Sequence, residues 1–192
     1  MLNHSIKLAK SKLPTGTTLK TVQLQAENCS GQNKNRFILW YLLWRTTIGL
    51  EDDITLFFLI AGHTKNRCDG AFGFVKRELK RRDALTAKDM ISVVSDSSDT
   101  NCAVLSADVS WMQWKSFLKN FYTVPSSFRI TRYHVFRFSS ADKSCVRVKR
   151  VTTDADWEQV CLLKRGVSPN IVCLETARCI NTMDTRARWK PL

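Results

Sequence analysis

The chain is expected to fold as a mixed α/β domain, a mixed sheet with flanking helices. Strand-like and helix-like segments alternate through its first half, and its last third is rich in two-residue alternation. No linker-like, repetitive or low-complexity stretch separates the two regions, so one domain is the default for 192 residues of which 44% are hydrophobic.

The first strand is VQLQA, residues 22–26, in which apolar and polar positions alternate up to Glu27. CSGQN then turns the chain. From Arg36 to Ile48 the sequence is apolar on nearly every helical face, and Gly49 suits the C-terminal cap. Within that helix FILWYLLW is only eight residues long and Arg45 follows at once. A bilayer span needs about 20 apolar residues, so this is a buried core helix and not a membrane segment. ITLFFLI, 54–60, is an unbroken apolar run of strand length, as for a strand covered on both faces. AGHTKNRCD is a polar loop, and DGAFGFVKRELKRR continues as a helix with Asp69 in its first turn and Phe72, Val75 and Leu79 on one side.

The later elements follow the same logic. TAKDMISVV carries a capping-box spacing from Thr86 to Asp89 and reads as a short helix. CAVLSA suits a strand. SWMQWKSFLKNFY is an amphipathic helix started by Ser110, with Trp111, Trp114, Phe117, Leu118 and Phe121 as its core stripe. FRITRYHVFRF and SCVRVKRV alternate like the arms of a hairpin, and WEQVCLLK adds a further strand.

Charge narrows the function classes. Thirty Lys and Arg against 17 Asp and Glu give a formal charge of +13, a field that recruits polyanions, nucleic acid before acidic lipid. Two basic blocks concentrate it: KRELKRR, with Lys76, Arg77, Lys80, Arg81 and Arg82, and RVKR, with Arg147, Lys149 and Arg150. Both fit phosphate contacts without a base code, and both also fit the solvated faces on which charge runs usually lie. The seven cysteines stand at 29, 68, 102, 145, 161, 173 and 179 with no CxxC pair, and MLNHSIKLAKSK lacks the apolar core of a secretory signal. Reduced thiols in an intracellular protein, the nucleus included, are the expectation.

Chemistry concentrates in the first half. Glu27 ends a strand and Asp69 begins the helix after the next one, and strand ends with their following loops line the ligand crevice of an open α/β sheet. Two carboxylates there are the donors a magnesium-dependent phosphoryl-transfer site requires, with His63 placed to position a water or a phosphate. The amides and cation of the turn, Asn28, Gln32, Asn33 and Lys34, fit phosphate orientation and equally fit ordinary turn chemistry. Glu27 also reads as a group that hydrogen-bonds the turn, Asp69 as an acid favoured by a helix dipole, and His63 and His134 as packed histidines.

ENCSGQNKNRFILWYLLWR, AGHTKNRCDGAFGFVKR and RITRYHVFRF together resemble the successive signatures of an uncharacterised domain family of transposon-derived proteins. Its usual form reads DNCxGQNKN, then GHTK with a downstream Asp, then YHxF. That family is similar in pattern to ribonuclease H-like transposases, whose acids sit on a central first strand, at the end of a later strand and on the following helix. The resemblance implies a ribonuclease H-like fold over residues 21–165, with Glu27 in the second acidic position and Asp69 in the third. Two departures matter. Glu27 stands where the family has Asp, a shift of its carboxylate by roughly 1.5 Å, and residues 1–20 hold no Asp or Glu to serve as the first acid. The expectation is therefore an N-terminally truncated domain, with 1–20 poorly ordered and 166–192 a tail. Its function is that of a transposase-derived remnant that binds nucleic acid, DNA above all, and neither cuts nor joins strands by itself. The alternatives are a sequence-nonspecific nucleic-acid-binding protein and a Mg²⁺-dependent nuclease completed by another chain.

Overall fold

A computed structural model describes residue 6 and residues 20–59, 67–103 and 113–176. It divides into two compact units. One comprises the described residues within Met1–Ala61 and Trp114–Leu192, the other those within Gly62–Gln113.

The larger unit is built on a five-stranded mixed sheet whose spatial order follows the chain. Strand β1 (Thr21–Ala26) runs parallel to β2 (Asp53–Phe58), with Val22 beside Ile54 and Leu24 beside Leu56. A parallel pair needs a crossover, and helix α1 (Arg36–Thr47) supplies it. Strands β3 (Val135–Ser139), β4 (Asp142–Lys149) and β5 (Glu158–Cys161) then extend the sheet antiparallel, one beside the next. The hairpin and the added strand thus stand as the alternation predicts.

One face of this sheet carries the core. Val22, Ile54, Leu56, Phe58, Phe136, Phe138, Val146 and Val148 point to it and pack with Leu39, Trp40, Leu42 and Leu43 of α1. The helix forms because Asn35 caps it: its side-chain oxygen accepts the backbone N–H of Phe37 and of Ile38. It ends at Gly49, whose φ of 76° is open to glycine at little cost. Residues 39–47 are buried without a break, as an all-round apolar helix must be. Arg45 lies within that run, and its guanidinium meets Glu51 through two hydrogen bonds of 2.8 and 2.6 Å and the Tyr41 hydroxyl at 2.9 Å. Glu51 is fully buried, so the pair is a dry one. Helix α4 (Trp114–Lys119) covers α1, with Leu118 and, just past its end, Phe121 buried and Trp114 and Phe117 partly so. Trp111 and Ser110 lie outside the described residues.

The opposite face is open. In β2 the positions Asp53, Thr55 and Phe57 alternate with the core residues and are only half-buried. The expected strand covered on both faces is therefore corrected to one covered on a single face. The apolar run misled because Phe57 is the one apolar residue β2 turns outward. A second correction concerns the thiols: Cys145 and Cys161 are neighbours in the β4–β5 register and are joined by a disulfide. Residues 169–176, within the segment expected as a tail, are helical; Val172 is buried, and the Trp44 indole donates to Thr176 at 2.9 Å. Of the segment 1–20, only Ile6, which is buried, and Lys20 are described.

The smaller unit holds α2 (Arg67–Leu79) and α3 (Ala87–Asp96), which lie against each other. The predicted capping box closes α3: Thr86 accepts the Asp89 N–H, and the Asp89 carboxylate accepts the Thr86 N–H. Bonds to Thr86 and Leu85 hold that carboxyl below the usual carboxylate range. On α2 the expected apolar side is not buried: Phe72 and Leu79 are exposed and Val75 half-buried. The strand CAVLSA falls mostly outside the described residues; Cys102 and Ala103 are irregular.

Candidate functional site

The carboxyl ends of β1 and β2 lie side by side, and the segments that leave them carry polar groups where an open α/β sheet presents its crevice. Glu27 follows β1 directly and is exposed. Its carboxylate enters none of the hydrogen bonds or ion pairs among the described residues, so the turn-bonding reading does not hold. The turn is made by the backbone instead, with the Cys29 carbonyl accepting the N–H groups of Gln32, Asn33 and Lys34 at 2.9–3.3 Å. Gln32 is exposed and Asn33 half-exposed.

Lys34 does something the turn reading does not anticipate. Its side chain is buried at 3% exposure, with the ammonium donating to Asn28 Oδ1 at 2.8 Å and to the Thr131 carbonyl at 3.1 Å, above the Phe58 ring. Burial pushes this amine below the ordinary lysine value. Asn28 then reaches His134: Nδ2 stands 3.5 Å from His134 Nε2, while His134 Nδ1 lies 2.8 Å from the Arg150 carbonyl. A carbonyl only accepts, so Nδ1 carries the proton. The Asn28 amide nitrogen, a donor, faces Nε2. His134 comes here because it precedes β3 and its own carbonyl takes the Phe58 N–H at 2.8 Å. The GQNKN and RYHVF segments are thus welded into one polar network, a structural role for Asn28, Lys34 and His134.

The other candidate acid, Asp69, sits exposed in the first turn of α2, in the smaller unit. His63 lies outside the described residues. Magnesium requires several oxygen ligands about one point. Among the described residues no three His, Cys, Asp or Glu side chains make such a group.

The basic block of α2 is partly neutralised by its own unit. Arg82 meets Asp96 at 2.6 Å and Glu78 at 3.3 Å, Arg81 meets Glu78 at 3.5 Å, and Arg77 lies over Phe74. Lys76 and Lys80 are exposed. RVKR is differently placed. Arg147 and Lys149 alternate onto the open face of the sheet, while Arg150 turns to Glu158 at 3.6 Å. Arg137 of β3 stands directly opposite Arg147 and is joined to Asp53 at 3.2 Å. Sequence reasoning missed Arg137, Phe57 and Trp157 as members of this face. Part of the signal was present, since SCVRVKR places cations at Arg147 and Lys149, two residues apart on one strand face, and Arg137 lies among the apolar residues of RYHVFRF.

Fold and site define a mixed α/β protein with a polar network at the carboxyl edge of its parallel strands and a cationic open sheet face. The chain belongs to the family described as a domain of unknown function, DUF7869, whose model matches residues 1–154. No curated protein and no solved structure matches it. No helix among the described residues is long and apolar enough to cross a membrane.

Proposed function

We propose that the chain is a transposase-derived, ribonuclease H-like domain that binds nucleic acid and does not cut it by itself. The observation that carries the binding is the arrangement of Arg137, Arg147 and Lys149 on one sheet face of a chain with a formal charge of +13. Cations gathered on one surface raise the local concentration of a polyanion, and phosphate contacts then hold it. The transposase-like origin is supported by the order of parts. A strand ends at Glu27, a helix returns the chain to a parallel strand, and the following helix has Asp69 in its first turn. These are the places that the resemblance assigns to the second and third acids.

Loss of cutting follows from the donors. Glu27 is one methylene longer than the acid it replaces. A two-metal site, with ions about 3.5–4 Å apart, tolerates that change poorly. The test has two arms on the full chain. Labelled DNA should bind at low salt and be released steeply as salt rises, and supercoiled DNA should not be nicked in Mg²⁺ or Mn²⁺. Cleavage abolished by Asp69→Ala would favour the active nuclease instead, and the absence of any binding would remove the function proposed.

A further inference from the structure

The open sheet face has a shape as well as a charge. A concavity of about 400 Å³ lies over it, bordered among others by Thr55, Phe57, Arg137, Lys149 and Trp157. That is within the roughly 300–1,000 Å³ of sites that seat a small molecule or one nucleobase. Arg137 and Arg147 oppose each other directly across β3 and β4. Like charges in that relation destabilise a sheet unless an anion lies between or beside them. Asp53 answers Arg137, but Arg147 is exposed and enters no ion pair among the described residues. Two further carboxylates of this unit, outside the concavity's lining, are already used. Asp142 takes Gln159 Nε2 at 2.7 Å, and Asp154 takes the N–H groups of Arg150 and Val151 at 3.0 Å.

The aromatic component is Trp157, which lies just before β5 and is half-buried. Lys149 sits 4.7 Å from its ring centre and is itself fixed by the Asp154 carbonyl, so the indole is braced from the protein side. A braced aromatic near the unneutralised Arg147 guanidinium and the Asp53-paired Arg137, on a sheet face that no helix among the described residues of its unit covers, combines the two elements of single-strand recognition: a surface on which bases stack and cations that follow the phosphates. Duplex DNA keeps its bases inside and can use only the second.

We infer that this sheet face binds single-stranded DNA, with Trp157 stacking on a base and Arg147 and Arg137 contacting the phosphates. The inference rests on the nucleic-acid reading above and narrows it to one surface and one form of the ligand. Anisotropy of a labelled oligothymidine and of a duplex of equal length, titrated with the full chain at one salt concentration, tests it. The single strand is expected to bind at least about tenfold tighter than the duplex. Trp157→Ala should weaken the single-strand complex about 5- to 150-fold, the range of one base–aromatic stack, and leave the duplex unchanged. Trp157→Phe, which keeps a ring and guards against a folding defect, should recover most of the loss. Arg147→Ala should weaken binding and flatten its salt dependence by about 0.7 in the logarithmic slope. If the chain binds DNA but Trp157→Ala and Arg147→Ala behave as the unaltered protein, the sheet-face assignment is overturned and nucleic-acid binding survives. A preference for duplex overturns it equally. If neither form binds, both readings fail together.

Discussion

At the scale of single residues the protein keeps its charges and hydroxyls on distinct terms. Glu51 and Arg45 are a buried, bidentate pair, and breaking one partner leaves an ion without compensation in a dry place. Glu51→Ala is expected to cost about 3–5 kcal/mol, read as a lowered midpoint in urea at unchanged slope. Neither partner was legible as such: Arg45 marked only the end of an apolar run, and no sequence pattern singled out Glu51. Asn28→Ala should cost about 1–3 kcal/mol, because Lys34 would keep one oxygen partner instead of two. Tyr122 differs from both. Its hydroxyl is buried beside Thr47 without a well-formed hydrogen bond, and burial holds it above the ordinary phenol value of about 10. A folded-state value raised above the unfolded one leaves stability intact below about pH 10 and removes it progressively as pH rises further. Tyr122→Phe should therefore be neutral or slightly stabilising at pH 7 and should lose less stability than the unaltered protein between pH 10 and 12, a difference that melts at paired pH values will read.

At the scale of elements, periodicity carried most of what could be read. VQLQA, the hairpin of β3 and β4, the strand at WEQVC and the Thr86–Asp89 capping box were all legible, because each is a local pattern with a local physical cause. What failed depended on neighbours. Whether β2 is covered once or twice is decided by which elements lie over Thr55 and Phe57, and an apolar run cannot report that. Cys145 and Cys161 are 16 residues apart and become partners only through the β4–β5 register. The network of Lys34, Asn28 and His134 had its members in view as motif residues, yet their mutual contact spans 106 positions. For α1 the decisive device is its cap. Asn35→Ala removes the acceptor for two backbone N–H groups and should lower stability by about 1 kcal/mol, with a matching fall in melting temperature.

At the scale of the whole molecule, the proposed binding of nucleic acid depends on where the +13 of formal charge lies. The basic block of α2 is tied in part to Glu78 and Asp96, whereas Arg147 on the open sheet face is left to solvent among the described residues. The total was legible from composition; its distribution was not, since Arg137 belongs to neither basic run and reaches Arg147 only by strand pairing. The most direct measurement of the central claim is the salt dependence of single-stranded DNA binding by the full chain and by the Arg137→Ala, Arg147→Ala double variant. The unaltered protein should show a logarithm of affinity that falls linearly with the logarithm of salt, and the double variant a slope smaller by about 1.4, two phosphate contacts at about 0.7 each. Binding whose slope is the same in both proteins, or no salt-dependent binding at all, would contradict it.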